Sequence, residues 1–378
     1  MSAYPGKVGI QQRVLTTYRA VFFDALVGEC TGGLSVCAGQ PLPEESITVA
    51  PGLQAARFQP LHNVHLLRGA LLLCHQRGLL DWLTTWDPDI LIAEANPRDI
   101  STPAAARWMH RRGRPVLGWG LGAPAPASIP AAVRSAGQRL TRAILHRSLR
   151  QFDALLTYSR RGAEEYAALG FPAERIFIAP NAAVRRPSQA APVRQPAFNG
   201  RANLLFVGRL QERKRIDTLL HACASLPEAL QPRLVIVGEG PARPALETLA
   251  HRLYPRAEFP GARHGADLER FFDEADLFVL PGTGGLAVQE AMAHALPVVM
   301  GQGDGTNDDL VRAENGWQVP DPEALPGVLL EALSDPARLR RMGAASHRIV
   351  SAEVNLESML AAFLEAMRQV GGACPTRL

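Results

Sequence analysis

LFVLPGTGGLAVQEAMAHALPVV, residues 277–299, decides how the rest of the chain is read. Leu277–Leu280 is a short apolar run of strand character. The glycines at 282, 284 and 285 cannot continue it, and Leu286–Ala295 has helix-forming composition until Pro297 stops it. Strand, glycine loop, helix is the order of a parallel α/β unit. Backbone N–H groups at such a loop face outward with no Cβ in front of them, so a phosphate can approach the main chain at Gly282, Thr283, Gly284, Gly285 and Leu286. One turn further in, Glu290 is a lone carboxylate in an apolar helix, placed to accept hydrogen bonds from hydroxyls of whatever the phosphate carries. Glycine turns of this kind also occur for packing alone, so the loop needs support from elsewhere in the chain.

At 378 residues the chain exceeds the size at which one core keeps growing, and two domains are expected. A hydrophobic content of 47% with 20% charged residues describes a globular protein with ample core. Cys30, Cys37, Cys74, Cys223 and Cys374 show neither metal-ligand spacing nor a disulfide framework, and no apolar stretch suits a signal peptide or a membrane span. These features fit a reducing cytoplasm. The net charge of +4 permits acidic partners without choosing among them, and the positive charge is nearly all arginine, the two lysines being Lys7 and Lys214.

Outward from residues 277–299 the alternation repeats. Asn203–Val207, Arg233–Val237, Glu258–Phe259, Pro297–Met300 and Gly316–Val319 read as strands, and Ile216–Ser225, Pro244–His251 and Leu268–Glu274 as helices. In the first half the strands are Lys7–Gln12, Gly33–Gly39, Ser46–Ala50, Asp89–Ala95, Pro115–Trp119, Ala154–Ser159 and Arg175–Pro180. Helices fall at Arg19–Leu26, Gln76–Thr85 and Ser101–Arg112, while Pro51–His65 has no period and reads as loop. Pro130–Phe152 is a basic amphipathic helix, suited either to an anionic membrane or to a solvated arginine face. Residues 185–200 are proline-rich and polar, the composition of a linker. The expected organisation is therefore domain 1–184, linker 185–200, domain 201–350 and a C-terminal helix within 351–378 packing back toward the first domain. Both domains are expected to be doubly wound and Rossmann-like, facing a cleft.

Gly208-Arg209-Leu210 follows a buried strand, with Lys214 five residues past Arg209 at the next helix start. In a parallel sheet all strands end on the same side, which places both cations at the edge that carries the 282–285 loop. A fork and a point charge suit a diphosphate. Gly238, Gly240 and the turn before Arg263 are further strand-end candidates for the wall around a base. In the first half, Arg13, Tyr18 and Arg19 after the first strand, Glu94, Asn96 and Arg98 after the fourth, and Trp119 are candidates for an acceptor; loop packing explains each equally well. His62, His65 and His75 are lone histidines without an assigned element. Asp304, Asp308 and Asp309 are read as helix-capping residues, not as a metal motif. The arginines do not interleave with aromatic residues, which argues against nucleic acid.

The combination of strand-GRL-x3-K, VGEGP-x-R-x2-L-E, F-x-G, AD-x-FVLP and EAMAHALPVV between Asn203 and Val299 resembles the nucleotide-sugar domain of retaining glycosyltransferases of family four, with the GT-B fold. QQRVLTTYRAVFFDAL, PDILIAEANPR, GWGLG and YSRRGAEEY resemble a bacterial subgroup associated with cell-envelope and exopolysaccharide glycosides. The resemblance implies transfer of a sugar from a nucleoside diphosphate, a UDP-sugar in preference to a GDP-sugar, to a hydroxyl acceptor that is lipid-linked or part of an envelope glycan. No metal and no other cofactor is implied. Arg209 and Lys214 would hold the pyrophosphate, the loop at Gly285 and Leu286 the phosphate or sugar, and Glu290 the ribose. The enzyme is expected in the cytoplasm, with peripheral contact on the inner face of the cell membrane as one of the two readings of residues 130–152. The family's first glutamate, separated from the second by seven intervening residues, is Gly282 here, which leaves the donor sugar open. Two alternatives stand beside this reading: a non-catalytic nucleotide-binding partner of a glycan-assembly complex, and a sugar-nucleotide epimerase of the same fold.

Overall fold

A computed structural model describes residues 3–45, 47–66, 72–123, 145–301, 303 and 309–371. The chain divides into two compact units, residues 1–183 with 357–378, and residues 184–356.

In the first unit seven parallel strands are ordered β3-β2-β1-β6-β7-β8-β9: β1 (Val8–Val14), β2 (Leu34–Gly39), β3 (Arg57–Pro60), β6 (Ile90–Glu94), β7 (Val116–Gly120), β8 (Ala154–Thr157) and β9 (Ile176–Ile178). A separate antiparallel pair, β4 (His62–Leu66) and β5 (Leu73–Arg77), lies in the connection between β3 and β6. The inner strands are buried on both faces and read as unbroken apolar runs, as parallel strands covered by helices must. Strand order reverses between β1 and β6, and the loops that leave these two strands diverge there. Phe363, on the final helix Leu356–Gly371, packs edge-on against Phe22 at 4.8 Å and Trp119 at 4.9 Å, so the end of the chain completes the core of this unit.

The second unit has six parallel strands in the order β12-β11-β10-β13-β14-β15: β10 (Asn203–Val207), β11 (Arg233–Val237), β12 (Ala257–Gly261), β13 (Leu277–Leu280), β14 (Val298–Met300) and β15 (Gly316–Gln318). Here the order reverses between β10 and β13. Ligands of open α/β sheets bind at such a reversal.

Several local expectations are corrected. The stretch Pro51–His65, read as loop, contains β3 and most of β4; no residue of either strand is fully buried, which removes the apolar alternation that announces a strand. Val49 makes only an isolated bridge to Thr16, so the described residues 47–50 of the expected strand form none. Gln76 and Arg77 end β5, and the helix expected from Gln76 begins after Gly78, at Leu79. The helix after β13 spans Ala287–Ala293 and is ended by Ala295 in the left-handed region (φ 54°), two residues before Pro297. Helices Leu325–Ser334 and Pro336–Ala352 were not anticipated, although each has a proline in its first turn and Asp335 caps the second through the Arg338 N–H at 2.8 Å.

Residues 130–144, Asp304, Asp308 and Cys374 lie outside the described residues; of the basic stretch, Leu145, Leu149 and Phe152 are buried. The four described cysteines are free and buried. Among the described residues no helix is long and apolar enough to cross a membrane.

Residues 184–200 belong to the second unit and contain no helix or strand. Arg194 nevertheless reaches into that unit. Its guanidinium donates to the carbonyls of Phe272 (2.8 Å), Asp273 (3.0 Å), Ala275 and His294 (2.8 Å), the open ends of helices Ala266–Glu274 and Ala287–Ala293. Arg340 donates to the neighbouring Gln195 carbonyl at 2.7 Å. Four carbonyls at two helix C-termini are a favourable seat for a cation.

Candidate functional site

In the second unit the loops that leave β10 and β13 at the sheet reversal are locked together. Lys214 is 4% exposed; its ammonium donates to the Thr283 carbonyl at 2.7 Å and to the Gly284 carbonyl. The Thr283 N–H returns a bond to the Arg213 carbonyl at 3.1 Å. Lys214 thus sits beneath the glycine loop as its fastener, a placement that the spacing of Lys214 and Arg209 did not disclose. Gly282 is pressed between backbones. A Cβ there would stand 2.1 Å from the Arg213 oxygen and 2.5 Å from the Lys214 Cα, and a Cβ on Gly301 would stand 2.0 Å from the Pro281 oxygen. Three main-chain segments therefore meet with no room for a side chain.

A second knot holds Gly208, Gly238 and Gly240. Gly208 donates to the Val237 carbonyl at 3.0 Å and Leu210 to the Glu239 carbonyl at 2.9 Å. A Cβ on Gly238 (φ 146°) would fall 1.9 Å from the Gly208 oxygen, so this close approach requires glycine twice over. Arg209 is exposed at the rim of this knot, and Arg263 is exposed beyond β12. Arg215, between Lys214 and helix Ile216–Ser225, has φ 53°, a left-handed conformation that costs a non-glycine residue about 1 kcal/mol.

Glu290 is half-buried on helix Ala287–Ala293, and no described side chain donates to it. Burial holds its carboxyl above the ordinary glutamate range, with Glu269 adding to this and His294 opposing it. His294 is itself stacked on Phe272 at 5.3 Å and bonded to Asp273 at 2.8 Å. A carboxylate in that setting gains most from neutral donors such as hydroxyls.

The first unit carries a different chemistry at its reversal. Beneath the ends of β1 and β6 lies a buried polar layer: Gln11 donates to Gln76 (2.7 Å) and Asp99 (2.8 Å), and Gln76 donates to the Gln12 carbonyl (2.9 Å). Ser101 accepts from the Gln76 N–H at 2.7 Å and pairs with His75 at 3.0 Å. Above it the Arg13 N–H donates to Glu94 at 2.7 Å, and the Arg13 guanidinium is paired with Glu45 at 2.8 Å. Of the acceptor candidates, Arg13 and Glu94 are thus joined to each other, Asn96 is exposed and bonds the Arg98 N–H within its own turn, and His62 is exposed. Arg19, Trp119 and Tyr18 form a group apart. The Arg19 guanidinium lies 4.0 Å from the Trp119 ring centre, 5.2 Å from Tyr158 and 5.4 Å from Tyr18, and donates to the Tyr158 hydroxyl. Sequence reasoning missed Tyr158, and it missed Gln11, Gln76 and Asp99; two adjacent glutamines in an otherwise apolar strand were the available signal.

Burial beside Glu94 pushes the Asp99 carboxyl up to about 7 from an ordinary 3.8. The native state therefore keeps this proton over a pH range in which the unfolded chain has released it. Stability is expected to fall as pH rises through that window, by a few kcal/mol in all. Melting curves of wild type and Asp99→Asn between pH 4.5 and 8 test this: the wild-type melting temperature should drop more steeply than that of the variant, and parallel curves would refute it.

Residues 9–182 match the Glycosyl transferase 4-like domain model, and residues 201–335 the model of Glycosyl transferases group 1. The two glycosyltransferase models thus match the two halves of the chain in turn, and the two Rossmann-like domains are those of the GT-B fold. It is 29% identical over 187 residues to the putative colanic acid biosynthesis glycosyltransferase WcaL of Escherichia coli, covering 46% of each chain. It is 27% identical over 219 residues to the amylovoran biosynthesis glycosyltransferase AmsK of Erwinia amylovora, covering 54% of this chain and 53% of that one. The matches span about half the length of these curated relatives. Among solved structures, Anabaena HepE in complex with UDP aligns over 98% of this chain and 100% of that one, with a TM-score of 0.68 at 14% identity. That likeness is one of fold.

Proposed function

We propose that the chain transfers a sugar from a nucleoside diphosphate, UDP in preference to GDP, to a hydroxyl acceptor with retention of anomeric configuration, in the assembly of a bacterial envelope polysaccharide. The observation that carries this is the fastening of the glycine loop by Lys214 at the sheet reversal of the second unit, with Arg209 exposed on the loop that leaves β10, in a chain whose two halves match glycosyltransferase models. The HepE complex, which holds UDP, and the exopolysaccharide relatives WcaL and AmsK support the choice of donor and pathway class.

In this reading Arg209 engages the diphosphate from the rim. Lys214 fixes the loop against which the phosphate lies and adds its charge from below. Glu290 accepts from the ribose hydroxyls. As the glycosidic bond to the leaving diphosphate lengthens, negative charge grows on the phosphate oxygens, and a preorganised cation and main-chain dipoles stabilise it without reorganising. The leaving phosphate takes the acceptor proton on the same face, so retention requires no carboxylate nucleophile from the protein. The acceptor side is assigned to the first unit, at the loops that follow β1, β6 and β7. The reaction takes place in the cytoplasm, on an acceptor that is lipid-linked or part of an envelope glycan.

UDP at about a hundredfold its dissociation constant should raise stability by about 2.7 kcal/mol, several degrees of melting temperature in a chain of this size. Thermal shift with UDP, GDP and dTDP tests the donor assignment, and a flat response to all three would overturn it. The glycine at 282, with backbone filling the space of a side chain, favours a second reading as a nucleotide-binding partner without turnover. UDP binding with no sugar released or transferred in the presence of a membrane extract would select that alternative.

A further inference from the structure

Three buried polar atoms at one end of the first unit have no hydrogen-bond partner: Thr16 Oγ1, Arg19 Nη1 and Trp119 Nε1. They belong to one cluster. Thr16 precedes helix Thr17–Val27 and makes no side-chain cap, Arg19 is in the first turn of that helix, and Trp119 on β7 is the ring on which the Arg19 guanidinium lies. Arg19 is 7% exposed and Trp119 2%. The helix has no acidic residue in its first turn, and no described carboxylate pairs with Arg19.

A buried guanidinium is costly, and its place at the positive end of a helix dipole makes it more so; the Glu94 carboxylate and the hydroxyls of Tyr158 and Tyr18 offset part of that cost without giving Nη1 a partner. Tyr18, Trp119 and Tyr158 offer the aromatic faces a cation prefers, which offsets part of the cost but supplies no acceptor for Nη1. The indole N–H of the ring beneath it is donor-only, so two neighbouring side chains each hold a buried donor that nothing accepts. A water molecule would supply an oxygen without neutralising charge. An oxyanion does both, with the fork geometry that arginine offers.

We propose that Arg19 and Trp119 form an oxyanion subsite, and that the acceptor carries a phosphate or carboxylate group that occupies it. The assignment of that anion to an acceptor rests on the transferase reading above; the anion site itself does not. An anionic acceptor fits both a phosphate-linked lipid carrier and a glycan ending in an acidic sugar, and the two differ in which probe binds.

The experiment titrates inorganic phosphate, and separately glucuronate, into wild type, Arg19→Met and Trp119→Phe, with binding read by thermal shift and by calorimetry. Phosphate is expected to stabilise the wild type. Arg19→Met should lose at least about tenfold in affinity, as removal of a charge-assisted bond does. Trp119→Phe keeps the ring, removes the donor and should weaken phosphate severalfold; it remains informative if Arg19→Met does not fold. Preference for glucuronate over phosphate would assign the site to an acidic sugar, and the reverse to a phosphate-bearing carrier. Equal phosphate affinity in wild type and Trp119→Phe, or an Arg19→Met chain with its anion response intact, would overturn the subsite. The wild-type response to UDP is read in parallel: its absence would refute the transferase proposal while leaving the anion result to stand or fall by itself.

Discussion

Lys214→Ala is expected to lower sugar transfer by about 10²–10³-fold or more, the scale seen when a preorganised donor to a developing anion is removed. It should also lower stability, because the carbonyls of Thr283 and Gly284 would lose their shared donor. A buried acceptor left unpaired costs about 1–3 kcal/mol. The two effects separate in measurement: turnover and UDP affinity report on the phosphate, a urea melt on the loop. Arg209→Ala, at the exposed rim, should show the first loss without the second. Activity within a few-fold of wild type in both variants would remove the phosphate assignment.

Gly282→Glu restores the carboxylate of the family's usual motif and is expected to damage the protein rather than improve it. The added Cβ would meet the Arg213 oxygen at 2.1 Å, while Pro281 on the other side is already held against Gly301. Neither contact is the yielding tip of a side chain, so the 281–285 loop would have to move off Lys214. Overpacking of this kind costs about 1–3 kcal/mol, with the displaced lysine bonds adding to it. A lower urea midpoint together with weaker UDP binding is the expected result. A Gly282→Glu protein that melts like wild type and transfers sugar faster would show that the loop is looser than this packing requires.

The second unit was legible because its signals are local. Asn203–Val207, Arg233–Val237 and Leu277–Leu280 are compact apolar runs, and each gives way within two residues to a glycine, which at Gly238 and Gly282 a close backbone approach demands. Their common edge follows from parallel connection alone. Tertiary information was not legible in the same way. Lys214 was found, but that its ammonium faces the loop carbonyls depends on where residues 283 and 284 fold. Gly282 looked like a missing side chain until the backbones around it were seen to fill that space. In the first unit, β3 and β4 bury no residue and so carry no hydrophobic period, and the Gln11–Gln76–Asp99 layer joins residues far apart in sequence. Arg19 and Trp119 were named from their loops; that one lies on the other, with Tyr158 beside them, emerged only from the packing.

Arg194 alters how the stretch before β10 behaves mechanically. Composition describes a slack rope of prolines and polar residues, yet the rope is cleated at its middle, where a single cation closes the open ends of two helices and Arg340 ties down the next residue. The slack is thus divided into two short spans, each with far fewer configurations than one long tether. Strain carried along this stretch reaches the underside of the very helix that bears Glu290.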